Sequence, residues 1–125
     1  MTTFTGLLHG SVVVADTERA LGFYRDGLGL PVNPERPDLG YPGAWLQVGE
    51  QQIHLLELPN PDPVQGRPAH GGRDRHLALG VTDLDAVCGR LEDQGVIVSR
   101  SKSGRRAAFC RDPDGNAVEL IEVLD

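Results

Sequence analysis

His76-Leu-Ala-Leu-Gly-Val-Thr-Asp83 repeats the layout of His9-Gly-Ser-Val-Val-Val-Ala-Asp16, with histidine and aspartate seven residues apart in both and an offset of 67 between the copies. Each copy is an apolar, strand-like run ending at an aspartate that can cap a helix. Thr17 to Leu28 follows the first copy, with Ala20, Leu21, Phe23, Tyr24 and Leu28 at amphipathic-helix spacing and Gly29 as the stop. Leu84 to Gln94 follows the second and is stopped by Gly95. Beyond the first helix come a Pro-rich loop and the runs Ala44 to Val48 and Gln52 to Leu58, which Gly49 to Gln51 join as a hairpin. Beyond the second come Val96 to Ser99, Ala107 to Arg111 and Ala117 to Val123. Asp112-Pro-Asp-Gly-Asn116 reads as a tight turn, because Pro113 presets φ and Gly115 supplies a positive one. The second half therefore reads as strand, helix and three strands and the repeat extends that count to the first, giving an α+β chain built from two βαβββ modules in tandem.

One domain over residues 1–125 is expected, with module one at 5–58, a linker at 59–74 and module two at 75–125. The net charge of -6, with no Lys/Arg run, argues against nucleic acid as a partner. No window reaches eighteen apolar residues and Met1-Thr-Thr-Phe-Thr lacks a basic start before an apolar run, so the expectation is a soluble, unexported protein with no membrane partner. Cys88 and Cys110 sit in apolar segments without C-x-x-C spacing and read as two reduced core thiols, which favours the cytoplasm.

Glu119 stands between Val118 and Leu120 in the last strand, where a carboxylate is costly to bury without a pair, a proton or a metal. Shifting residue 54 by 67, less a two-residue shortening of the second half, lands on 119, so His54 and Glu119 are equivalent places. His9 and His76 are equivalent by the offset itself. If the copies pack about a pseudo-two-fold axis, all four can point at one place. Ala78 and Gly80 share the His76 face and Ser11 shares the His9 face, which leaves room beside both histidines. A single histidine or glutamate in a half-buried strand is more often a hydrogen-bonded structural group than a ligand. Four in register across a repeat favour one divalent transition metal (Zn, Ni, Co, Mn or Fe), because three imidazoles and a carboxylate make an N₃O donor set.

His9, the helix start Asp16 to Tyr24, Leu28-Gly-Leu30, His76 with Asp83, and Asp112-Pro-Asp-Gly-Asn116 followed by Glu119 resemble the vicinal oxygen chelate superfamily, which includes glyoxalase I, fosfomycin-resistance proteins and extradiol dioxygenases. The resemblance covers nearly the whole chain. It implies an open, cup-shaped eight-stranded sheet with helices outside, holding one divalent metal and often paired as a homodimer. His9, His76 and Glu119 match its ligand places, while His54 stands where glyoxalase I commonly has a glutamate and the epimerases a glutamine. The implied activity is a lyase or isomerase of the glyoxalase type, with Glu119 as both ligand and acid/base and a small oxygenated substrate. The alternatives are an extradiol-type dioxygenase on His9, His76 and Glu119, and a non-catalytic drug-binding (resistance) protein. Arg73, Arg75 and Arg105 are candidate contacts for an anionic substrate group, whereas Trp45 and Phe109 read as core.

Overall fold

The computed structural model of the chain describes residues 2–124; Met1 and Asp125, the end points of the expected domain, lie outside it. The duplication extends to the helix caps. After β1 (His9–Val14), Asp16 accepts the N–H of Arg19 at 3.0 Å and opens α1 (Thr17–Leu21). Asp83 does the same for α2 (Leu84–Asp93), accepting the N–H of Ala86 at 3.1 Å after β4 (His76–Val81). Each helix start is also held by a glutamate from the last strand of its own module. Glu57 accepts the Thr17 N–H at 2.7 Å and Glu122 accepts the Leu84 N–H at 3.0 Å. A carboxylate among the free N–H groups of a first helical turn stabilises it by satisfying donors and by its charge.

Module one contributes a three-stranded sheet in the order β1-β3-β2, where β2 is Gly43–Val48 and β3 is Gln51–Glu57. Module two contributes a four-stranded sheet in the order β4-β7-β6-β5, where β5 is Ser99–Arg100, β6 is Ala107–Arg111 and β7 is Ala117–Glu122. In each sheet the first strand runs parallel to the last, and the registers match: Ser11 lies opposite His54, and Ala78 lies opposite Glu119. The α+β, two-module reading is thus borne out, down to the pairing of equivalent residues.

Three details differ from expectation. The described residues form seven strands in two sheets instead of eight in one open sheet, and the eighth, in module one, is reduced to a bridge between Val32 and Leu46. Pro31 and Pro34 flank that bridge, and a residue without an N–H cannot extend a ladder. The strand expected at Val96 to Ser99 survives only as β5. The first helix does not run straight to Leu28 but widens into a π-helical segment at Gly22–Gly27, closed by Leu28 N–H to the Phe23 carbonyl at 2.8 Å. Phe23 and Tyr24 in this segment are both buried.

One core joins the modules. Leu21, Phe23 and Tyr24 from the first helical stretch and Leu84, Cys88 and Leu91 from α2 pack on Leu46 and Leu55 of one sheet and Val118 and Leu120 of the other. β1 and β4 approach so closely that a Cβ on Gly10 would lie 2.8 Å from Leu77 Cδ2. Both cysteines are free and buried, and burial pushes the Cys110 thiol up to about 12, so neither is a candidate nucleophile.

The turn after β6 is held by Asp112, which is only 5% exposed. Its carboxylate accepts the Tyr24 hydroxyl at 2.7 Å, the N–H groups of Asp114 and Asn116 at 2.9 Å each, and Asn116 Nδ2 at 2.9 Å. Gly115 takes the positive φ expected of it, 85°. The same turn grips module one: Asn116 Nδ2 donates to the Val13 carbonyl at 3.1 Å, and Asp114 Oδ1 accepts the Ala15 N–H at 3.0 Å.

Candidate functional site

Glu119 lies in mid-β7, 7% exposed, with each oxygen engaged. Oε2 accepts from Arg105 at 2.7 Å, and Oε1 is 3.2 Å from His76 Nε2. The other ring nitrogen of His76, Nδ1, is 2.8 Å from the Asp74 carbonyl. A carbonyl can only accept, so Nδ1 carries a proton and Nε2 is the nitrogen turned toward the carboxylate oxygen. Nε2 meets the carboxylate either through its own proton or, once deprotonated, through a cation that both groups bind. The donor set therefore fits a metal ion on the His76 and Glu119 side.

Asp74 is itself braced. Arg67 binds both its oxygens at 2.6 and 2.7 Å, and Arg111 adds a third bond at 2.8 Å. The hydrogen bonds from Arg67 and then Arg111 hold the Asp74 carboxyl well below the usual carboxylate range. The carbonyl that orients His76 thus sits on a residue fixed by two guanidinium groups, an outer support of the kind that sets a ligand's tautomer.

The module-one pair is a ring stack. His54 lies between His9, at 3.8 Å and 13° between planes, and Trp45, at 4.3 Å and 5°. Trp45 is directly opposite His54 in the β2–β3 register, which is why the two rings lie flat on one another. Burial, then the neighbouring His9 and Arg36, lower the His54 pKa and favour the neutral imidazole that a metal requires. His54 Nε2 is 2.8 Å from Gln52 Oε1.

The four repeat-related residues come together in two pairs, His76 with Glu119 and His9 with His54. Among the described residues, no group of three or more His, Cys, Asp or Glu is arranged to hold an ion within the single chain. Of the three candidate substrate arginines, Arg105 is on Glu119, Arg75 pairs with Asp62 at 2.8 Å on the surface, and Arg73 is exposed at the end of a 3₁₀ turn, Gly71–Arg73. Trp45 and Phe109 are only half-buried and are not core. Phe109 lies edge-on to His76 at 5.5 Å and to His70 at 5.0 Å. Each aromatic faces the residue paired with it across its module's last strand, His54 for Trp45 and Glu119 for Phe109. That shared register was the available signal for their place at the site.

A family profile described as the Glyoxalase/Bleomycin resistance protein/Dioxygenase superfamily matches residues 6–120. The chain belongs to this superfamily. Within it, the chain is 33% identical to the lactoylglutathione lyase of Salmonella typhimurium, over 95% of this chain and 93% of that protein. A glyoxalase family protein from Bacillus anthracis superimposes with a TM-score of 0.80 at 25% identity, covering 98% of both chains. An antibiotic binding protein from Streptomyces superimposes with a TM-score of 0.70 at 29% identity over the same share of each chain. The superfamily's members thus include both a catalytic and a binding relative of this chain.

Proposed function

We propose that the protein is a divalent-metal-dependent lyase or isomerase of the glyoxalase type, acting as a homodimer in which His76 and Glu119 of one copy meet His9 and His54 of the other. The observation that carries this reading is His76 Nε2 placed 3.2 Å from the Glu119 carboxylate, with no third His, Cys, Asp or Glu grouped with them among the described residues of one chain. The exposed Phe4, Leu7 and Leu8, directly before His9, support burial of that edge against a second copy. The relatedness to lactoylglutathione lyases supports a hemithioacetal of a 2-oxoaldehyde as the substrate class, and a cytoplasmic place fits two free thiols. No helix among the described residues is long and apolar enough to cross a membrane.

A bound divalent ion, whichever of Zn, Ni, Co, Mn or Fe it is, supplies Lewis-acid polarisation of the substrate's oxygens. Glu119 would take the proton from the hydroxyl-bearing carbon and return it to the neighbouring carbonyl carbon, while the hydroxyl proton passes to the former carbonyl oxygen, so that the hydroxyl carbon becomes a carbonyl and the former carbonyl carbon a carbinol. With His54 where a second carboxylate could stand, Glu119 performs both transfers. His54 as a fourth donor also leaves two positions of an octahedral shell, enough for a chelating substrate but not for dioxygen as well. That count disfavours the dioxygenase reading.

The Arg105 contact competes with metal for Glu119 Oε2. Arg105→Ala should therefore tighten Ni²⁺ binding by about fivefold, equivalent to about 1 kcal/mol for an exposed ion pair. Isothermal titration calorimetry reads this, and unchanged or weaker binding would place Arg105 outside the competition.

Mixing two inactive variants tests the cross-chain site. A dimer of one His54→Ala chain and one Glu119→Gln chain has one doubly damaged site and one intact site, so random mixing should restore about one quarter of wild-type turnover. Closure within one chain would restore none. A metal-loaded wild-type dimer that exchanges no proton of a methylglyoxal hemithioacetal or an acyl-CoA in deuterated water would leave the drug-binding reading, which the Streptomyces relative supports.

A further inference from the structure

A cavity of about 920 Å³ opens at the outer edge of the second sheet, and none of His9, His54, His76 or Glu119 lines it. It exists because β5 pairs with β6 only through Phe109 and Ala108, leaving no strand beside Cys110 and Arg111. In module one the corresponding edge is covered, since Asn33 N–H reaches the Trp45 carbonyl at 2.7 Å and Gln47 N–H reaches the Pro31 carbonyl at 2.8 Å. The shortened strand of module two therefore makes a space that its counterpart lacks.

The walls are apolar and the rim offers hydrogen-bond donors. Phe23, Val96, Ile97 and Phe109 line the body, and Ile97 stands 87% exposed at the lip. Arg19 lends one guanidinium nitrogen to Asp114 at 2.8 Å and keeps half its side chain, 52%, in solvent. His70 accepts the Gly72 N–H on Nδ1 at 3.0 Å, which leaves Nε2 as a donor. The one acid in the lining, Asp112, has its carboxylate taken up by four donors. The volume is that of a small-molecule site, and the guanidinium N–H groups that Arg19 does not spend on Asp114, with His70 Nε2, favour a strong acceptor such as a carboxylate as the head group.

We propose that this cavity is a second small-molecule site, distinct from the metal centre, for a ligand with an apolar body and one anionic head, such as a medium-chain or aromatic carboxylate. The body fills the space between Phe23 and Phe109 under Ile97, and the head pairs with Arg19.

Decanoate is the probe, followed by calorimetry and by its displacement of 8-anilinonaphthalene-1-sulfonate from the dimer. Ile97→Asp should weaken decanoate binding by at least about tenfold, and Arg19→Gln by about fivefold. Glu119→Gln and saturating Zn²⁺ should leave its affinity within about twofold. Ile97 is so exposed that its variant should fold normally, which keeps the test decisive if Arg19→Gln does not. The proposal is overturned if wild type shows no saturable binding up to about 1 mM, if Ile97→Asp binds equally well, or if Zn²⁺ displaces the probe. The first outcome would mean that a second copy covers the cavity or that it holds only water; the third would place the probe at the metal site, and the first two leave that site untouched.

Discussion

Glu119→Gln should bind its metal ion and lose proton transfer, by about 10²–10⁴-fold in the rate of hydrogen–deuterium exchange at the substrate carbon. The substitution keeps the shape of the side chain and an oxygen to place beside His76 Nε2, but an amide cannot accept the substrate's proton. It also removes the charge that draws Arg105 onto Oε2 at 2.7 Å. The expected signature is a split: metal content by mass spectrometry near that of wild type, and exchange followed by proton NMR nearly abolished. Loss of both would make Glu119 a ligand alone. Full retention of exchange would end its part in the chemistry, because no second carboxylate stands in the four-residue set.

The largest effect on stability is expected at Asp112. Asp112→Ala leaves the Tyr24 hydroxyl, two backbone N–H groups and Asn116 Nδ2 without their acceptor inside a turn that excludes water. Unmet buried donors cost about 1–3 kcal/mol each before relaxation, so a net loss of about 4 kcal/mol and a fall in Tm of about 15 °C are expected. Tyr24→Phe removes one of these donors together with its need and should cost only about 1 kcal/mol. Scanning calorimetry of the two variants separates a hub from a lone contact. If Asp112→Ala lost no more than Tyr24→Phe, the other three donors would contribute nothing.

The fold was legible because duplication is a periodic signal. The offset of 67 in the first strands and 65 in the last ones appears in the sequence and again in the registers, where Ser11 opposes His54 and Ala78 opposes Glu119. Faces of strands follow from alternation, so the candidate residues could be named as facing side chains. Their division into two pairs could not. It depends on how one sheet sits against the other, which is set by non-local packing such as Leu77 against Gly10. The π-helical segment was illegible because Phe23 and Tyr24 fit the apolar face of an ordinary helix equally well, so their spacing does not announce a wider turn. The role of Arg105 lay in a loop whose path no periodicity describes. The two prolines beside Val32, by contrast, did announce a weak strand, and counting strands by analogy between halves overrode them.

The turn at Asp112 to Asn116 makes the two modules interdependent in folding. Its side chains reach Val13, Ala15 and Tyr24, so module two finishes the end of the first strand and the first helix of module one. Neither half has all its backbone partners until the other has arrived. The linker then serves to deliver the second module rather than to tether it, and the two modules should melt as a single cooperative unit even though each carries its own sheet.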